Sequence, residues 1–208
     1  MNALSLIIQF FIALGTIAVA ILAIWGDWVR LKFAAPKLKI EIQDTKKEPE
    51  MVRYNDGKKG YYFHLKLTNK KIGRIAKNCK ILLVAVAKQL PDGEFETIPF
   101  NSCYPFQWTP AGNNPFYKID FAWKEQLFDF GILGQDDVEF KPAIQWFHND
   151  FEGYVKKGEI KRFYLQVLAD NFIHGKPQVF EVAWNGQWTD NREEMKRNLI
   201  VKEITNLK

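Results

Sequence analysis

The stretch ALSLIIQFFIALGTIAVAILAIW, residues Ala3 to Trp25, decides the fold, because it contains no charged side chain over 23 positions. As an α-helix with a rise of about 1.5 Å per residue, it is roughly 35 Å long. That length crosses the hydrocarbon core of a bilayer, which is about 30 Å thick, with some tilt. We therefore predict a transmembrane helix and its exit at residues 1–32, followed by one domain at residues 33–208.

Small and polar residues lie along one side of this predicted helix. They recur at steps of three and four, which places them on one stripe: Ser5, Gln9, Ala13, Thr16, Ala20, Ala23 and Asp27. In lipid, helices associate through small residues and through polar side chains that bond across the contact. The stripe therefore predicts a homo-oligomer within the lipid, held together by this face.

Two interpretations of the stripe stay open. In the first, the stripe only packs helices against one another. In the second, four or more helices turn it inward around water, so that Gln9 and Thr16 line an ion-conducting pore. A ring of Asp27 at the cytoplasmic mouth would then attract cations. We take a tetramer as the working assembly.

The flanking charges predict the orientation of the helix. A cleaved signal peptide is the alternative, but no Lys or Arg precedes the run, and the cleavage-like Ala18–Ala20 lies inside it. Positive charge collects on the cytoplasmic side of a span. It follows the run here, at Arg30, Lys32, Lys37 and Lys39. We expect the N-terminus outside and the C-terminal domain in the cytoplasm.

The two cysteines, Cys79 and Cys103, test this orientation. A cytosolic domain keeps thiols reduced, so they should not pair, whereas an inverted topology would allow a disulfide. Two cysteines without a nearby pair of histidines do not make a metal site. We expect no metal and no cofactor.

Strand patterns dominate after a short connector at residues 33–36. Alternating or continuous apolar residues predict strands at 37–43, 61–69, 79–88, 95–100, 138–147, 160–170, 179–184 and 199–205. Residues 44–60 predict a loop, residues 101–120 a long ordered loop packed on the sheet, and residues 123–130 a short helix or a strand. Short strands with turn signals favour an antiparallel β-sandwich, Ig-like, of about seven to nine strands.

Turn and cap signals near the C-terminus give two further predictions. Asn185-Gly186 predicts a hairpin turn that leads into a strand at Gln187 and Trp188. Residues 189–198 predict one or two helical turns, with Thr189 or Asp190 as the N-cap.

Basic residues crowd the connection between two of the predicted strands: Lys70, Lys71, Arg74 and Lys77. Cations in a loop can collect the phosphates of a nucleotide or a lipid headgroup. The net charge of +5 suits either partner. The alternative is a solvated connection in which Lys keeps a sheet edge from aggregating.

The sequence does not indicate an enzyme. Its three histidines, His64, His148 and His174, are scattered. It shows no His-x-x-x-His pair, nucleophile turn, phosphate-binding Gly-rich loop or Cys-x-x-Cys. A membrane-anchored hydrolase would need a convergent carboxylate or histidine site that the sequence does not display.

Several short stretches carry a resemblance: residues 34–40, residues 76–81, and Ala169-Asp170-Asn171 followed by residues 184–188. The chain resembles small bacterial proteins with one N-terminal spanning helix and a cytosolic β-sandwich. Proteins of this plan occur among membrane effectors of anti-phage defence, such as the channel component of Hailong-type systems. The resemblance implies the cell inner membrane and a partner nucleotidyltransferase whose nucleotide or oligonucleotide product controls an oligomeric channel, and it gives no residue a role.

We therefore expect an oligomeric membrane effector whose helices form an ion-conducting pore controlled by a cytosolic ligand-sensing domain. The alternative is a membrane-tethered protein-binding or scaffold module that does not conduct.

Overall fold

A computed structural model describes residues 3–43, 48–71, 74–99, 102–109, 119–121, 124–144, 151–172 and 175–205. The chain divides into two compact units, Met1–Ala35 and Pro36–Lys208. The first unit is a helix, and the second is a mostly β domain. This arrangement confirms the predicted N-terminal helix and the β-rich remainder.

The first helix, α1 (Ala3–Ala34), continues two residues beyond the predicted bound at 32. It ends just before Pro36, because proline lacks a backbone N–H and disfavours helical geometry in the residue before it. Within it, Leu4–Gly26 is long and apolar enough to cross a membrane, and none of this span is buried in the protein. The helix is thus compatible with a membrane anchor.

The β domain contains a second helix, α2 (Arg192–Asn198). The strands of the described residues are β1 (Leu38–Ile42), β2 (Glu50–Arg53), β3 (Lys59–Asn69), β4 (Ala76–Gln89), β5 (Phe95–Ile98), β6 (Tyr104–Pro105), β7 (Gln107–Trp108), β8 (Ile119–Phe121), β9 (Lys124–Gly134), β10 (Glu139–Pro142), β11 (Val155–Lys156), β12 (Ile160–Leu168), β13 (Gln178–Trp184) and β14 (Leu199–Ile204).

The strands form two antiparallel sheets. The first has the order β1-β3-β9-β10-β11, with β2 beside β3 and β7 beside β9. The second has the order β14-β13-β12-β4-β5, with β6 and β8 beside β4. The short segment from β6 to β7 passes from one sheet to the other, because β6 pairs with β4 and β7 pairs with β9.

The two sheets share one hydrophobic core that is rich in phenylalanine. Phe130 of the first sheet lies 5.5 Å from Phe163 and 6.1 Å from Phe180 of the second sheet, measured between ring centroids. Phe140 lies 5.9 Å from Phe130 on the same side. Alternating apolar residues in β3 and β12 contribute to the same core, together with residues of β1, β4 and β13, since successive side chains of a strand point to opposite faces.

Three predictions about the strands require correction. Residues 44–60 are not all loop, because β2 pairs with β3 across a turn at Gly57, which has φ of +83°. Of residues 123–130, which were open between helix and strand, 124–130 belong to β9, which confirms the strand alternative, and residue 123 lies outside the described residues. The strand predicted at 138–147 is the shorter β10 (Glu139–Pro142), and residues 145–147 lie outside the described residues. Residues 101–120 are not one loop, because β6, β7 and the start of β8 lie within them, and positions 101 and 110–118 lie outside the described residues.

The predicted hairpin after Asn185-Gly186 is wrong. Gly186 does turn the chain, with φ of +86°, but Gln187 and Trp188 belong to no strand. Instead, the backbone N–H of Asn185 donates to the carbonyl oxygen of Asn198 at 3.0 Å, so the segment closes around α2. The predicted turn was therefore correct, and the predicted strand at Gln187 and Trp188 was wrong.

The predicted N-cap of the second helix is also wrong, by one or two residues. Asn191 is the cap, because its Oδ1 accepts hydrogen bonds from the backbone N–H groups of Glu193 and Glu194 at 2.9 and 3.2 Å. Thr189 supports this cap from outside the helix. Its Oγ1 accepts from the backbone N–H of Asn191 at 3.1 Å and donates to Glu194 at 3.0 Å.

Substituting Phe130→Ala should destabilise the β domain by about 3–5 kcal/mol, because it leaves a cavity where the two sheets meet. The measurement is urea unfolding of the full chain in detergent micelles, followed by tryptophan fluorescence. Val138→Ala is the control, since Val138 is 77% exposed and its truncation should change the free energy of unfolding by less than about 0.5 kcal/mol. Equal losses from both substitutions would contradict the central place of Phe130.

Candidate functional site

The stripe of α1 has the geometry that the sequence predicts. At about 100° per residue, its members fall within about 80° around the helix axis: Ser5, Gln9, Ala13, Thr16, Ala20 and Ala23. Asp27 belongs to the same helix, but its side chain lies outside the described residues. Whether the stripe faces water or another helix stays a prediction.

Two polar side chains of the stripe differ in their hydrogen bonding. The hydroxyl of Thr16 donates to the backbone carbonyl oxygen of Ile12 at 2.9 Å, so its proton is satisfied within the helix. Gln9 has no such bond among the described residues of the helix. An amide that stays unpaired in an apolar medium costs about 2–7 kcal/mol. Gln9 is therefore the stripe residue that most needs a partner from outside its own helix.

Of the residues in the predicted basic segment, Lys70, Lys71 and Arg74 lie between β3 and β4, and Lys77 is the second residue of β4. Two asparagines hold the backbone at this point. Oδ1 of Asn69 accepts from the backbone N–H groups of Lys37 and Lys71 at 3.2 and 3.1 Å, and its Nδ2 donates to the carbonyl oxygen of Arg74. Asn171 accepts from the backbone N–H of Lys77 at 3.0 Å. The backbone that carries the four predicted cations is thus fixed at both ends.

The cations of the segment are not equivalent. Lys70 makes an ion pair with Glu41 at 2.7 Å, and this hydrogen bond lowers the pKa of the Glu41 carboxyl. Arg74 and Lys77 are exposed. Arg74 and Lys77 are therefore the better placed of the predicted residues to meet a phosphate, while Lys70 is already neutralised.

The structure brings together a charged cluster that the sequence analysis did not predict. His64 in β3 lies between two carboxylates, with its Nδ1 2.8 Å from Oε1 of Glu48 and its Nε2 3.2 Å from Oδ1 of Asp129. The backbone N–H of His64 also donates to Oε2 of Glu48 at 3.2 Å. Thr109 donates its hydroxyl proton to Asp129. The side chain of His64 is only 5% exposed.

These carboxylates set the charge of the imidazole. Burial alone would lower the pKa of His64, but hydrogen bonds and charge interactions with Asp129 and Glu48 overcome it and raise the pKa to about 9. The ring is therefore an imidazolium at neutral pH and donates a hydrogen bond from each nitrogen. A group with both nitrogens engaged has no lone pair with which to act as a general base. The cluster is suited to holding Glu48 and Thr109 against the sheet through charge attraction and hydrogen bonds.

His64 also borders two cavities. The first, of about 300 Å³, is lined in part by the core residues Phe63, Leu65 and Phe130. The second, of about 390 Å³, lies on the outer face of the sheet beside Tyr54 and Tyr62. Among the described residues, no group of three or more His, Cys, Asp or Glu side chains could hold a metal ion. His148 and His174 lie outside the described residues.

Comparison of the chain with protein-family models, curated proteins and solved structures returned no match. The roles of these residues therefore follow from geometry and chemistry alone. Cys79 and Cys103 form no disulfide with each other, and Cys79 is buried whereas Cys103 is exposed.

The His64 cluster should make the β domain less stable as pH rises. The pKa of His64 is raised from 6.5 to about 9, so protonation stabilises the fold fully below about pH 6.5 and this contribution is lost as pH passes through 9. His64→Gln should be less stable than wild type at pH 6, and the difference should shrink toward pH 10. Thermal unfolding of the full chain at pH 6 to 10 measures this.

His148→Gln removes a histidine elsewhere in the chain and serves as the matched control for this experiment. It should keep the pH profile of the wild type. A His64→Gln protein whose melting temperature falls between pH 6 and 10 by as much as that of wild type would show that His64 does not carry the effect.

Proposed function

We propose that this chain is an oligomeric membrane effector of the cell inner membrane, in which N-terminal helices form an ion-conducting pore and the cytosolic β domain senses a ligand. The N-terminus would lie outside, and an anti-phage role is part of the proposal. The observation that supports it best is that the side-chain amide of Gln9 has no hydrogen bond among the described residues. The rest of the surface of this helix is suited to contact with lipid.

The surface of α1 needs an apolar environment. Between Leu4 and Trp25, its large aliphatic and aromatic side chains are all exposed in the chain itself, from 45% for Ile21 to 73% for Ile24. A contiguous apolar surface of this length is not stable in water, and a bilayer core of about 30 Å covers it. Lipid satisfies every face of this helix except the one that carries Gln9.

The depth of Gln9 strengthens this point. Residue 15 is the midpoint of Leu4–Gly26, so Gln9 lies about 9 Å from the bilayer midplane and Thr16 lies close to it. Both positions are within a hydrocarbon layer that extends about 15 Å from its midplane. A neighbouring copy would supply hydrogen-bond partners for Gln9, and the small residues Ala13 and Ala20 would let the helices approach closely.

A pore follows if four or more copies turn the stripe toward a common axis. Gln9 would line the lumen, and the oxygen of Thr16 would still accept a hydrogen bond from water. A ring of Ala13 between Gln9 and Thr16, and a ring of Ala20 on the cytoplasmic side of Thr16, would form apolar constrictions that gate by dewetting. Asp27 would add negative charge at the cytoplasmic mouth.

The two antiparallel sheets would serve as the sensing domain, which we propose to be an Ig-like β-sandwich. Its ligand would be a nucleotide or an oligonucleotide made by a partner nucleotidyltransferase. The exposed cations Arg74 and Lys77, whose backbone Asn69 and Asn171 hold in shape, support a phosphate contact there. Lys71 would add to the local positive potential, whereas the charge of Lys70 is offset by Glu41.

The double substitution Gln9→Leu, Thr16→Leu should abolish conduction, because it removes the polar groups from the proposed lumen while keeping the helix apolar. Expression in bacterial cells, with membrane potential followed by a dye, measures this. Wild type should depolarise the cells, and the double variant should resemble cells without the protein. If the two proteins depolarise the cells equally, the hypothesis of a pore lined by Gln9 and Thr16 is wrong.

A matched control uses the opposite side of the same helix. Phe11 and Leu22 lie about 140° or more from the position of Gln9 around the axis. The double substitution Phe11→Leu, Leu22→Ile changes apolar residues for apolar residues there and should leave depolarisation unchanged.

The alternative is a membrane-tethered binding or scaffold module that does not conduct. Cysteine crosslinking in native membranes separates the two. In a Cys103→Ser background, Ala20→Cys on the stripe should give crosslinked oligomers, and Phe11→Cys on the opposite side should not. A strict monomer would remove the pore and leave the scaffold.

Neutralising Arg74→Gln and Lys77→Gln should weaken the binding of a fluorescent single-stranded trinucleotide to the full chain in detergent. Each lost phosphate contact lowers the slope of log affinity against log salt by about 0.7, so the slope should fall by roughly 1–2. Arg53→Gln with Lys176→Gln removes the same charges from two other exposed positions and is the control. Equal weakening by both pairs would show that only net charge matters.

A further inference from the structure

The edge strands β1 and β14 of the two sheets lie next to each other, and we call the line between them the seam. The side chain of Gln178 bridges the two sheets at one end of this seam. Gln178 of β13 bonds to the backbone of β1 in both directions, since its Oε1 accepts from the N–H of Ile40 and its Nε2 donates to the carbonyl oxygen of Ile40, each at 2.7 Å. Lys39 and Glu203 add an ion pair at 3.4 Å. These contacts join the two sheets over the core at this end of the seam.

The cavity of about 300 Å³ lies at the other end of the same seam, between the last residues of β1 and the first residues of β14. Ile42 lines one side, Ile200 lines the other, and Phe63, Leu65 and Phe130 of the core form its inner wall. Ile42 and Ile200 are 36% and 46% exposed, so the apolar lining continues to the surface. A volume of this size is at the lower end of small-molecule sites.

The charged side chains on the rim of this cavity already have partners of opposite charge. His64 bonds to Glu48 and Asp129, as described above, and Lys196 pairs with Glu193 at 3.0 Å. A strongly charged ligand would therefore meet no uncompensated opposite charge on the described lining. The cavity favours a neutral occupant.

One polar atom of the lining has no partner. Oε1 of Gln43 is buried and accepts no hydrogen bond within the described part of the chain. A buried acceptor left in this state is unfavourable, and a ligand that donates a hydrogen bond to it relieves that cost. The apolar walls and this acceptor together define the chemistry of what would bind.

We propose that this cavity is a binding site for a small neutral molecule with a compact apolar body and one O–H or N–H donor that bonds to Gln43. Phenols and indoles are the class that fits, because they combine an aromatic body with a single donor. The inference goes beyond the proposed function, since it holds whether or not the helices conduct, and the site is separate from the exposed cations Arg74 and Lys77.

The test uses 4-fluorophenol as the probe and 4-fluoroanisole as its match, because the two differ in whether the oxygen carries a proton. Fluorine NMR of each probe with the full chain in detergent micelles measures binding by line broadening. Wild type should bind 4-fluorophenol about tenfold more tightly than 4-fluoroanisole, which is the contribution of one hydrogen bond to an otherwise unpaired acceptor.

Two variants and a control complete the experiment. Gln43→Leu should bind both probes equally, and Ile200→Trp, which fills the cavity from its exposed rim, should bind neither. Val138→Trp adds the same side chain at an exposed position outside the cavity and should behave like wild type. Melting temperatures of all variants check that each is folded.

If wild type and Ile200→Trp broaden the probe signal equally, the probe is partitioning into the micelles. That result would overturn the proposed binding site. Gln43→Leu retaining the preference for the phenol would overturn the role of Gln43, and with it the proposed class of ligand. Absence of broadening by wild type at millimolar probe would also overturn the proposal.

Discussion

The packing of Phe130 between the two sheets is the contact on which the β domain depends. It requires an irregularity in the ladder of β3 and β9, where Phe63 pairs with Gly131 and His64 pairs with Asp129, so that Phe130 is an extra residue. Gly131 is needed beside it, because a Cβ there would lie 2.0 Å from the ring of Phe140. The same irregularity places Asp129 opposite His64 on the outer face. The core and the charged cluster are therefore two sides of one bulge.

Features that depend on neighbouring residues were predictable from the sequence, and features that depend on distant ones were not. The apolar run of α1 and the alternation in β3 and β12 are local patterns, and the structure confirms them as a helix and strands. The turn at Gly186 is local too, but the strand expected after it depended on a pairing partner that the described part of the chain does not supply. The cap at Asn191 was missed because Thr189 and Asp190 are equally good cap residues by type.

The candidate sites divide in the same way. The stripe through Gln9 follows from helical periodicity, so sequence alone locates it. His64 alternates with Lys66 on what the sequence presents as a polar outer face, and nothing local shows that Glu48 and Asp129 cover it. Glu48 comes from a segment predicted as loop, and Asp129 from one that was open between helix and strand. Long-range pairing of β3 with β9 creates the cluster, and periodicity carries no information about such pairing.

Strand β3 contributes to each of the three features of the β domain. Asn69 at its end holds the basic segment, His64 at its middle holds the two carboxylates, and Leu65 forms part of the inner wall of the cavity. Because successive residues face opposite sides of a strand, Leu65 faces the core while His64 faces the two carboxylates, and both residues border the cavity. A phosphate at Arg74 and a neutral molecule beside Gln43 would occupy separate surfaces that the same strand supports. Any coupling between two such ligands has a short covalent route through β3, and it would change the affinity for each ligand by the same factor.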